Sequence, residues 1–532
     1  MPELDPRWDC NKRRDERELL AELVGRAALD QAQRVRIVRR ATDLVERIRR
    51  EARPGLAESF LVEYGLSTDE GLALMRLAEA LLRVPEPATI DELIEDKIAP
   101  ADWRRHAGHS PSPLVNAATR GLALSGRLLG AEDEGVLSGA VRRLTEPVIR
   151  VAVAQAMREM GHQFVLGQDI RAGMRRAARQ EARGYTYSYD MLGEAAMTAA
   201  DATRYARSYS DAIAAIASAC RSDEIAANPG ISVKLSALHP RYQVAKSDRV
   251  MAELVPVLGD LARRAARARM GFNIDAEEAD RLGLSLAVIE TVLADPELAG
   301  WDGFGVVVQA YGRRAPDVID GLHELATRLD RRLMVRLVKG AYWDGEIKRA
   351  QSDGMSDYPV WTRKAHTDVC YLACARTMLA ARDAIYPQFA THNALTVASI
   401  IALAGDRSPG DYEFQCLHGM GEQLFAQLLA DTDDTHHCRI YAPVGGYADL
   451  LGYLVRRLLE NGANTSFVHR LVNPDISEDL LLADPLTDIE RVGLAPHPAV
   501  PLPANLYPDR TNSAGLDLSA RPVRHAVREA LA

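Results

Sequence analysis

The chain has 532 residues, of which 47% are hydrophobic and 26% are charged, as is typical of a soluble globular protein. Its formal net charge of −9 argues against a dominant nucleic-acid-binding surface, and no apolar run approaches the ~18 residues of a membrane-spanning helix. The six cysteines form no paired CxxC motifs, so free thiols in a reducing cytoplasm are the simplest interpretation.

The first part of the chain is predicted to be helical. Residues 1–57 are rich in both Arg and Glu, and because the acidic residues cancel most of the positive charge we interpret them as a solvated helical arm. Residues 58–183 carry amphipathic patterns, such as the one over Thr68–Leu82, and predict an all-α domain. Neither region shows a group of residues with evident chemistry.

From residue 184 to residue 475, short β-rich runs alternate with longer helical segments. Eight such units predict an α/β fold, a (β/α)8 barrel. A doubly wound open sheet is the alternative, but no GxGxxG motif follows a strand. Residues 476–532 are crowded with proline and are predicted to form an irregular linker or tail. The predicted strands are Tyr185–Leu192, Ile231–Leu238, Gly271–Glu277, Gly303–Ala310, Leu333–Gly340, Gln388–Asn393, Tyr412–Gly419 and Cys438–Gly445.

Polar residues concentrate at the carboxyl ends of the predicted strands, which meet at one mouth of a barrel. Permanent cations are in excess there, and this favours a small anionic substrate or a phosphate-bearing cofactor. The cations are Lys234, Arg336, Lys339, Arg456 and Arg457. The two adjacent arginines share one face of a predicted helix over Asp449–Asn461, where they can hold a carboxylate through charge-assisted hydrogen bonds.

Three kinds of chemistry are compatible with this mouth. A Schiff-base lyase would use Lys234 or Lys339 as its nucleophile. A flavin-dependent redox enzyme would divide the cations between the cofactor and a substrate carboxylate. A metal-assisted enzyme is the third, although the spacing of its candidate ligands forms no compact metal motif. Those ligands would be Asp275, Glu277, His392 and His418. A non-enzymatic interaction protein built on the helical half is a further alternative, but it would not need a polar barrel mouth.

Long stretches in this region point to one family. They include Tyr187–Glu194, Val233–Leu238, Asn273–Glu278, Arg336–Trp343, Phe414–Gly421 and Arg456–Phe467. In their sequence and order they resemble the proline dehydrogenase half of the bacterial proline utilization A flavoproteins. The resemblance runs from about residue 58 to the end of the chain.

The resemblance implies a distorted barrel whose last helix lies over the mouth, and FAD bound there non-covalently. The implied reaction is the oxidation of L-proline to Δ1-pyrroline-5-carboxylate by hydride transfer to flavin N5. A quinone is the implied electron acceptor, and the implied location is cytoplasmic with peripheral contact to the inner membrane face. Whether the chain forms a homo-oligomer is left open.

The family also sets two expectations about what the chain lacks. Long members continue into an NAD-dependent aldehyde dehydrogenase half, and no catalytic-cysteine module of that kind is found here, so oxidation onward to glutamate is expected to be absent. Some members begin with a ribbon-helix-helix DNA-binding domain. Residues 1–55 do not show its strand-then-two-helices pattern, so we expect no nucleic-acid partner.

The resemblance assigns site residues as well. Arg456, Arg457 and Lys234 match residues that hold the proline carboxylate, and Glu194 matches an acid that pairs with the first arginine. Other pocket positions are Asp275, Tyr342, Tyr441 and Leu417. Arg336 corresponds to a residue near flavin N5, and Gln309 to one at the edge of the flavin ring. The remaining FAD-contacting positions are Val338, Lys339, Gly340, Trp343, Thr362, Lys364, Thr391, His392, Asn393, Gln415, Glu460 and Phe467.

Overall fold

The computed structural model describes residues 11–27, 29–51, 164–405, 409–430, 436–446 and 481–532, together with the isolated positions 86, 89, 467, 471, 476 and 477. Nearly all of the predicted all-α segment before residue 164 therefore lies outside the described residues. The predicted helix over Asp449–Asn461, with Arg456, Arg457 and Glu460, lies outside them too.

Eight parallel strands close into a barrel in sequence order, with the last strand paired to the first. This confirms the predicted α/β class and (β/α)8 architecture. The strands are β1 (Tyr185–Met191), β2 (Gly230–Val233), β3 (Phe272–Ile274), β4 (Phe304–Gln309), β5 (Leu333–Val338), β6 (Ile385–Ala390), β7 (Glu413–Leu417) and β8 (Cys438–Val444).

The predicted bounds of all eight strands are off by one or more residues, and the differences at β2 and β6 are instructive. The predicted run Ile231–Leu238 is strand only as far as Val233, and Leu235–Leu238 form a short helix instead. The sixth strand begins at Ile385, before the predicted start, and includes Pro387. Proline donates no ladder hydrogen bond and usually marks a strand end, so its place inside β6 is not evident from the local sequence.

Helices alternate with the strands and also precede the barrel. Several begin at side-chain caps: Asp169 accepts from the amide of Ala172, and Thr198 and Asp201 form a capping box. The helices are α1 (Glu16–Ala27), α2 (Gln31–Glu51), α3 (Ile170–Glu181), α4 (Ala199–Ala217), α5 (Leu235–Leu238), α6 (Ser247–Arg267), α7 (Leu282–Leu293), α8 (Ala315–Arg328), α9 (Trp343–Ser352), α10 (Lys364–Ala380), α11 (Ala394–Ala404), α12 (Glu422–Leu429), α13 (Pro485–Val492) and α14 (Arg521–Leu531).

The N-terminal arm packs against the barrel helices and is not simply solvated. Helix α1 contacts α10, and α2 contacts α11. Leu19, Leu20 and Leu23 of α1 are buried in the same apolar core as the outer faces of the strands. Burial of this apolar stripe stabilises the docked arm.

The C-terminal segment, predicted to be irregular, contains helices α13 and α14. Each has a proline in its first turn, Pro485 and Pro522. Proline is favourable there because the amide that it lacks would have no partner inside the helix. Among the described residues, no helix is both long and apolar enough to cross a bilayer.

Candidate active site

Strands β1 and β8 and the residues just after β2 and β3 bring four polar side chains together inside the barrel. The Nζ atom of Lys234 lies 2.7 Å from Oδ1 of Asp190 and 3.1 Å from Oδ2 of Asp275. It also lies 3.2 Å from the hydroxyl of Tyr441, which donates to Oδ2 of Asp275 over 2.7 Å. Three of the predicted pocket residues, Lys234, Asp275 and Tyr441, thus form one cluster.

Lys234 keeps a positive charge in this cluster. Burial acts against the ammonium, but the carboxylates of Asp190 and Asp275 outweigh it and raise the pKa of Lys234 well above its usual value. A lysine that attacks a carbonyl must lose its proton. The Lys234 environment therefore disfavours the Schiff-base alternative at this residue and favours a role as a fixed cation.

Tyr441 keeps its proton for a related reason. Burial, together with the nearby carboxylates of Asp190 and Asp275, raises the pKa of its hydroxyl well above the usual value. The hydroxyl is therefore available as a donor to Asp275. Both oxygens of Asp275 are engaged, since Oδ1 lies 3.1 Å from Nη1 of Arg336.

Arg336, on β5, reaches across the barrel interior beneath this cluster. Its guanidinium donates to the hydroxyls of Ser232 (3.0 Å) and Ser188 (3.2 Å), which are themselves 3.0 Å apart. Its Cζ atom lies 5.1 Å from the centre of the Tyr441 ring. The Nε atom is buried and has no hydrogen-bond partner among the residues that the structure describes.

Gln309 joins the ends of β4 and β5 to the loop after β3. Its Nε2 donates to the carbonyl of Glu277 over 2.9 Å, and its Oε1 accepts from the amide of Ala341 over 3.2 Å. Val338 is the last residue of β5 and is half-buried beside this link. Gly340 has φ +139°, and a Cβ there would lie 2.4 Å from the ring of Tyr311, so only glycine fits this turn.

Two predicted cofactor-binding lysines share one carboxylate. Lys339 and Lys364 lie 2.5 and 2.8 Å from Asp368. Burial would raise the pKa of Asp368, but the two ammonium groups outweigh it and lower it to about 2. Burial also lowers the pKa of Lys339, with Asp368 opposing the change. Two cations and one anion leave a net positive charge at this side of the mouth.

Thr362 and Trp343 are held by other parts of the chain. The amide and hydroxyl of Thr362 both donate to Oε1 of Glu16 on α1, over 3.1 and 2.9 Å. The indole of Trp343 donates to the carbonyl of Trp361 over 2.8 Å. The Thr362 hydroxyl is therefore engaged by the N-terminal arm, while the Trp343 ring is partly exposed.

The loops after β6 and β7 bring the next predicted residues together. Nε2 of His392 accepts from the amide of Leu417 over 3.0 Å. Asn393 caps α11 by accepting from Thr396, and its own amide donates to the hydroxyl of Thr391. Gln415 lies inside the barrel and donates to Glu413 over 2.7 Å.

The remaining predicted site residues lie in loops, against the apolar core, or outside the described residues. Glu194 and Tyr342 are half-buried in the loops after β1 and β5. Phe467 is partly buried against the apolar core. Arg456, Arg457 and Glu460 lie outside the described residues, so their assignments stay predictions. No group of three His, Cys, Asp or Glu residues in the described part of the chain is arranged to hold a metal ion.

Sequence reasoning left several mouth residues without a role. It assigned no role to Asp190, Ser188 or Ser232. A signal was present, because residues two apart on a strand face the same side. Ser188 and Asp190 form such a pair on β1, as do Ser232 and Lys234 at the end of β2.

Comparison with known proteins places the chain in a family. Residues 173–470, more than half of the chain, match the family model described as "Proline dehydrogenase". Residues 11–49 match the N-terminal domain of proline utilization A proline dehydrogenase. Residues 56–164 match a model described as the DNA-binding domain of proline dehydrogenase, a description that counts against our expectation of no nucleic-acid partner.

Individual relatives agree with the family match. The bifunctional protein PutA of Escherichia coli (strain K12) is 53% identical over 527 residues, which cover 95% of this chain and 40% of that protein. A crystal structure of a Bradyrhizobium japonicum proline utilization A variant matches with a TM-score of 0.78 and 48% identity, over 99% of this chain and 53% of that one. The proline dehydrogenase of Deinococcus radiodurans is 27% identical, over 63% of this chain and 96% of that protein.

The chain thus spans about 40% of the length of the Escherichia coli relative. The region matched by the proline dehydrogenase model contains all eight barrel strands and the cluster around Lys234. On this match, the chain belongs to the proline dehydrogenase family.

Proposed function

We propose that this chain oxidises L-proline to Δ1-pyrroline-5-carboxylate with non-covalently bound FAD, and that a quinone reoxidises the flavin. The observation that carries the proposal is the charged Lys234, held by Asp190, Asp275 and Tyr441 inside the mouth of the barrel. The proposal covers only the part of the PutA relatives that the chain matches.

The residues around the mouth suit an anionic cofactor that carries a ring system. Lys339 and Lys364 leave a net positive charge near Asp368, as a pyrophosphate requires. Gly340 lets the backbone turn closely against Tyr311, and the guanidinium of Arg336 has an Nε atom without a partner among the described residues. We assign these residues and Gln309 to cofactor binding. When bound, FAD supplies the hydride acceptor.

Lys234 gives the substrate carboxylate a fixed positive charge to bind. The Lys234 side chain is 9% exposed, and three oxygen atoms hold its ammonium group. It therefore loses little conformational freedom when the substrate arrives. Arg456 and Arg457 are proposed to hold the same carboxylate. Together these cations would orient the proline ring, and orientation is a large part of such catalysis.

Tyr441 and Asp275 act as positioning residues in this proposal. Oxidation removes a hydride from the ring carbon next to nitrogen and a proton from the nitrogen, and it forms the C=N bond. Asp275 already accepts from Lys234, Arg336 and Tyr441, so it is poorly placed to take the amine proton. We therefore assign it to holding Lys234 and Arg336 in place, with the Tyr441 ring forming one wall of the pocket.

The direct test is anaerobic reduction of the FAD-loaded protein. L-Proline should bleach the flavin absorption, whereas D-proline, with its carboxylate on the other side of the ring, should do so far more slowly. A soluble quinone should then restore the absorption. Bound flavin that L-proline leaves oxidised would contradict the proposal, and trapping of a substrate on Lys339 by borohydride would favour the lyase alternative.

A further inference from the structure

The loop after β1 carries unusual backbone geometry on both sides of Glu194. Gly193 has φ +146°, and a Cβ there would lie 2.2 Å from the ring of Tyr205. Ala195 has φ +50°, a left-handed conformation that costs an alanine free energy. The two other described non-glycine residues with positive φ, Arg269 and Asp330, lie just after helices α6 and α8. There such a conformation is an ordinary helix ending, so Ala195 needs another explanation.

Ser236, just after β2, holds this loop by two hydrogen bonds. The amide of Ala195 donates to its hydroxyl over 3.0 Å, and the amide of Ala196 donates to its carbonyl over 2.9 Å. Ser236 is buried, with 2% of its surface exposed. A strained conformation persists only when its surroundings fix it, and here the fixing residue is a single serine.

Glu277, just after β3, holds Ser236 in turn. Its Oε2 accepts from the amide of Ser236 over 3.1 Å, and its Oε1 accepts from the hydroxyl. The hydroxyl thus gives its only proton to Glu277 and offers a lone pair to Ala195. The Glu277 side chain is 7% exposed, and Nη1 of Arg281 lies 3.8 Å from its Oε1. A strong surface ion pair therefore does not explain why a carboxylate is buried here.

We propose that Glu277 is a positioning residue for substrate binding, because it fixes Ser236 and through it the Gly193–Ala196 backbone that aims the Glu194 side chain. This inference rests on the proposed function, in which Glu194 pairs with an arginine of the substrate-carboxylate clamp. Glu277 also accepts from Gln309 through its carbonyl. One residue thereby connects the loops after β1 and β2 with the end of β4.

A carboxylate is the side chain that suits this arrangement. It has two acceptor oxygens and takes both Ser236 donors at once. Glutamine has the same shape but only one acceptor, so one Ser236 donor would face an amide NH2 group. The hydroxyl would then turn, and its bond to the Ala195 amide would weaken. Glu277→Gln should loosen the loop without removing Glu194.

The test measures L-proline oxidation by the FAD-loaded Glu277→Gln variant at pH 8, above the raised pKa of Glu277. KM should rise by about five- to tenfold, while kcat, FAD content and the flavin spectrum stay within about twofold of the parent. The matched control is Glu278→Gln, since Glu278 is the neighbouring carboxylate and has no hydrogen bond to Ser236 in the described structure. It should leave KM unchanged.

Two more variants decide how Glu277 acts. In Glu194→Gln/Glu277→Gln, KM should match that of Glu194→Gln alone, because both changes affect one interaction. Should Glu277→Gln fail to fold, Ser236→Ala removes the hydroxyl link without changing a charge, and the same rise in KM is expected. A KM rise in Glu194→Gln without one in Glu277→Gln and Ser236→Ala would overturn the inference, as would additive effects in the double variant.

These outcomes also separate this inference from the proposed function. If the parent protein does not oxidise L-proline, or if Glu194→Gln leaves KM unchanged, then the proposed function or its clamp is wrong. If both hold and only the Glu277 and Ser236 variants behave like the parent protein, the proposed function stands and the positioning role of Glu277 is wrong.

Discussion

The ammonium of Lys234 lies 2.7 Å from a carboxylate of Asp190 that has no exposed surface. Burial raises the pKa of Asp190, although Lys234 partly offsets this. Such a pair gains little over two apolar side chains, but it is costly to break, because the remaining charge stays buried alone. The pair therefore serves to hold a cation where apolar packing could not.

Asp190→Asn tests this pairing. The free energy of unfolding should fall by about 3–5 kcal/mol, the usual cost of removing one partner from a buried pair. Urea denaturation of the FAD-free protein measures it. Asp223→Asn is the control, because that side chain is 95% exposed and its removal should leave the urea midpoint unchanged. An unchanged midpoint in Asp190→Asn as well would mean that Asp275 alone neutralises Lys234.

The buried carboxyl of Glu277 predicts a dependence of stability on pH. Burial raises its pKa from 4.5 to about 7. Between these values the unfolded chain has ionised while the folded protein still holds the proton, so this group makes stability fall as pH rises from about 4.5 to about 7. The folded pKa lies about 2.5 above the ordinary value, which corresponds to about 3 kcal/mol. Above pH 7 this whole amount is lost from the free energy of unfolding.

Glu277→Gln should remove that pH dependence. The Tm difference, variant minus parent, should shift in favour of the variant as pH rises from 5 to 8, whatever constant loss the missing hydrogen bond adds. Differential scanning calorimetry across this range measures the shift. A Tm difference that does not change with pH would show that Glu277 is ionised throughout.

The arm should dock through one buried carboxylate. Glu16 is 1% exposed, lies 2.8 Å from Arg313 and 2.6 Å from His366, and accepts from Thr362. Burial opposes its charge, but His366 and Arg313 outweigh burial and lower its pKa. Glu16→Gln should destabilise the protein by about 3–5 kcal/mol.

Limited proteolysis will show whether that loss frees the arm. Glu16→Gln should be cut between the arm and the barrel sooner than the parent protein. Glu18→Gln, an exposed position on the same helix, should be cut at the parent rate. Equal rates for all three proteins would mean that the apolar stripe of α1 suffices for docking.

The two arginines of the predicted clamp lead to a kinetic prediction. Arg456→Met or Arg457→Met should lower kcat/KM for L-proline by roughly ten- to a hundredfold, from the loss of a charge-assisted contact of ~1.5–3 kcal/mol. Steady-state assays with a quinone acceptor measure it. Parent-like kinetics in both variants would remove the arginines from the site.

Much of the fold could be predicted because the strands are short β-rich runs and most of them are followed by a helical pattern. The exceptions include prolines that lie inside regular elements, such as Pro387 within β6 and Pro485 at the start of α13. Their role depends on pairing and position, which local sequence does not contain.

The site was predictable where residues follow strands, as Lys234 and Asp275 do. It was not predictable where a partner comes from outside the strand ends. Glu16 of the N-terminal arm binds Thr362 across 346 residues. Glu16 is an ordinary residue in an unremarkable local sequence, so only the folded chain reveals this contact.

The central claim is that Lys234 binds the substrate by its carboxylate. The most direct measurement compares kcat/KM for L-proline with that for pyrrolidine, which has the ring and amine but no carboxylate, in the parent and in Lys234→Met. The preference for L-proline should shrink by roughly ten- to a hundredfold in the variant, while Lys246→Met, at an exposed lysine, should keep it. An undiminished preference in FAD-loaded Lys234→Met would contradict the account.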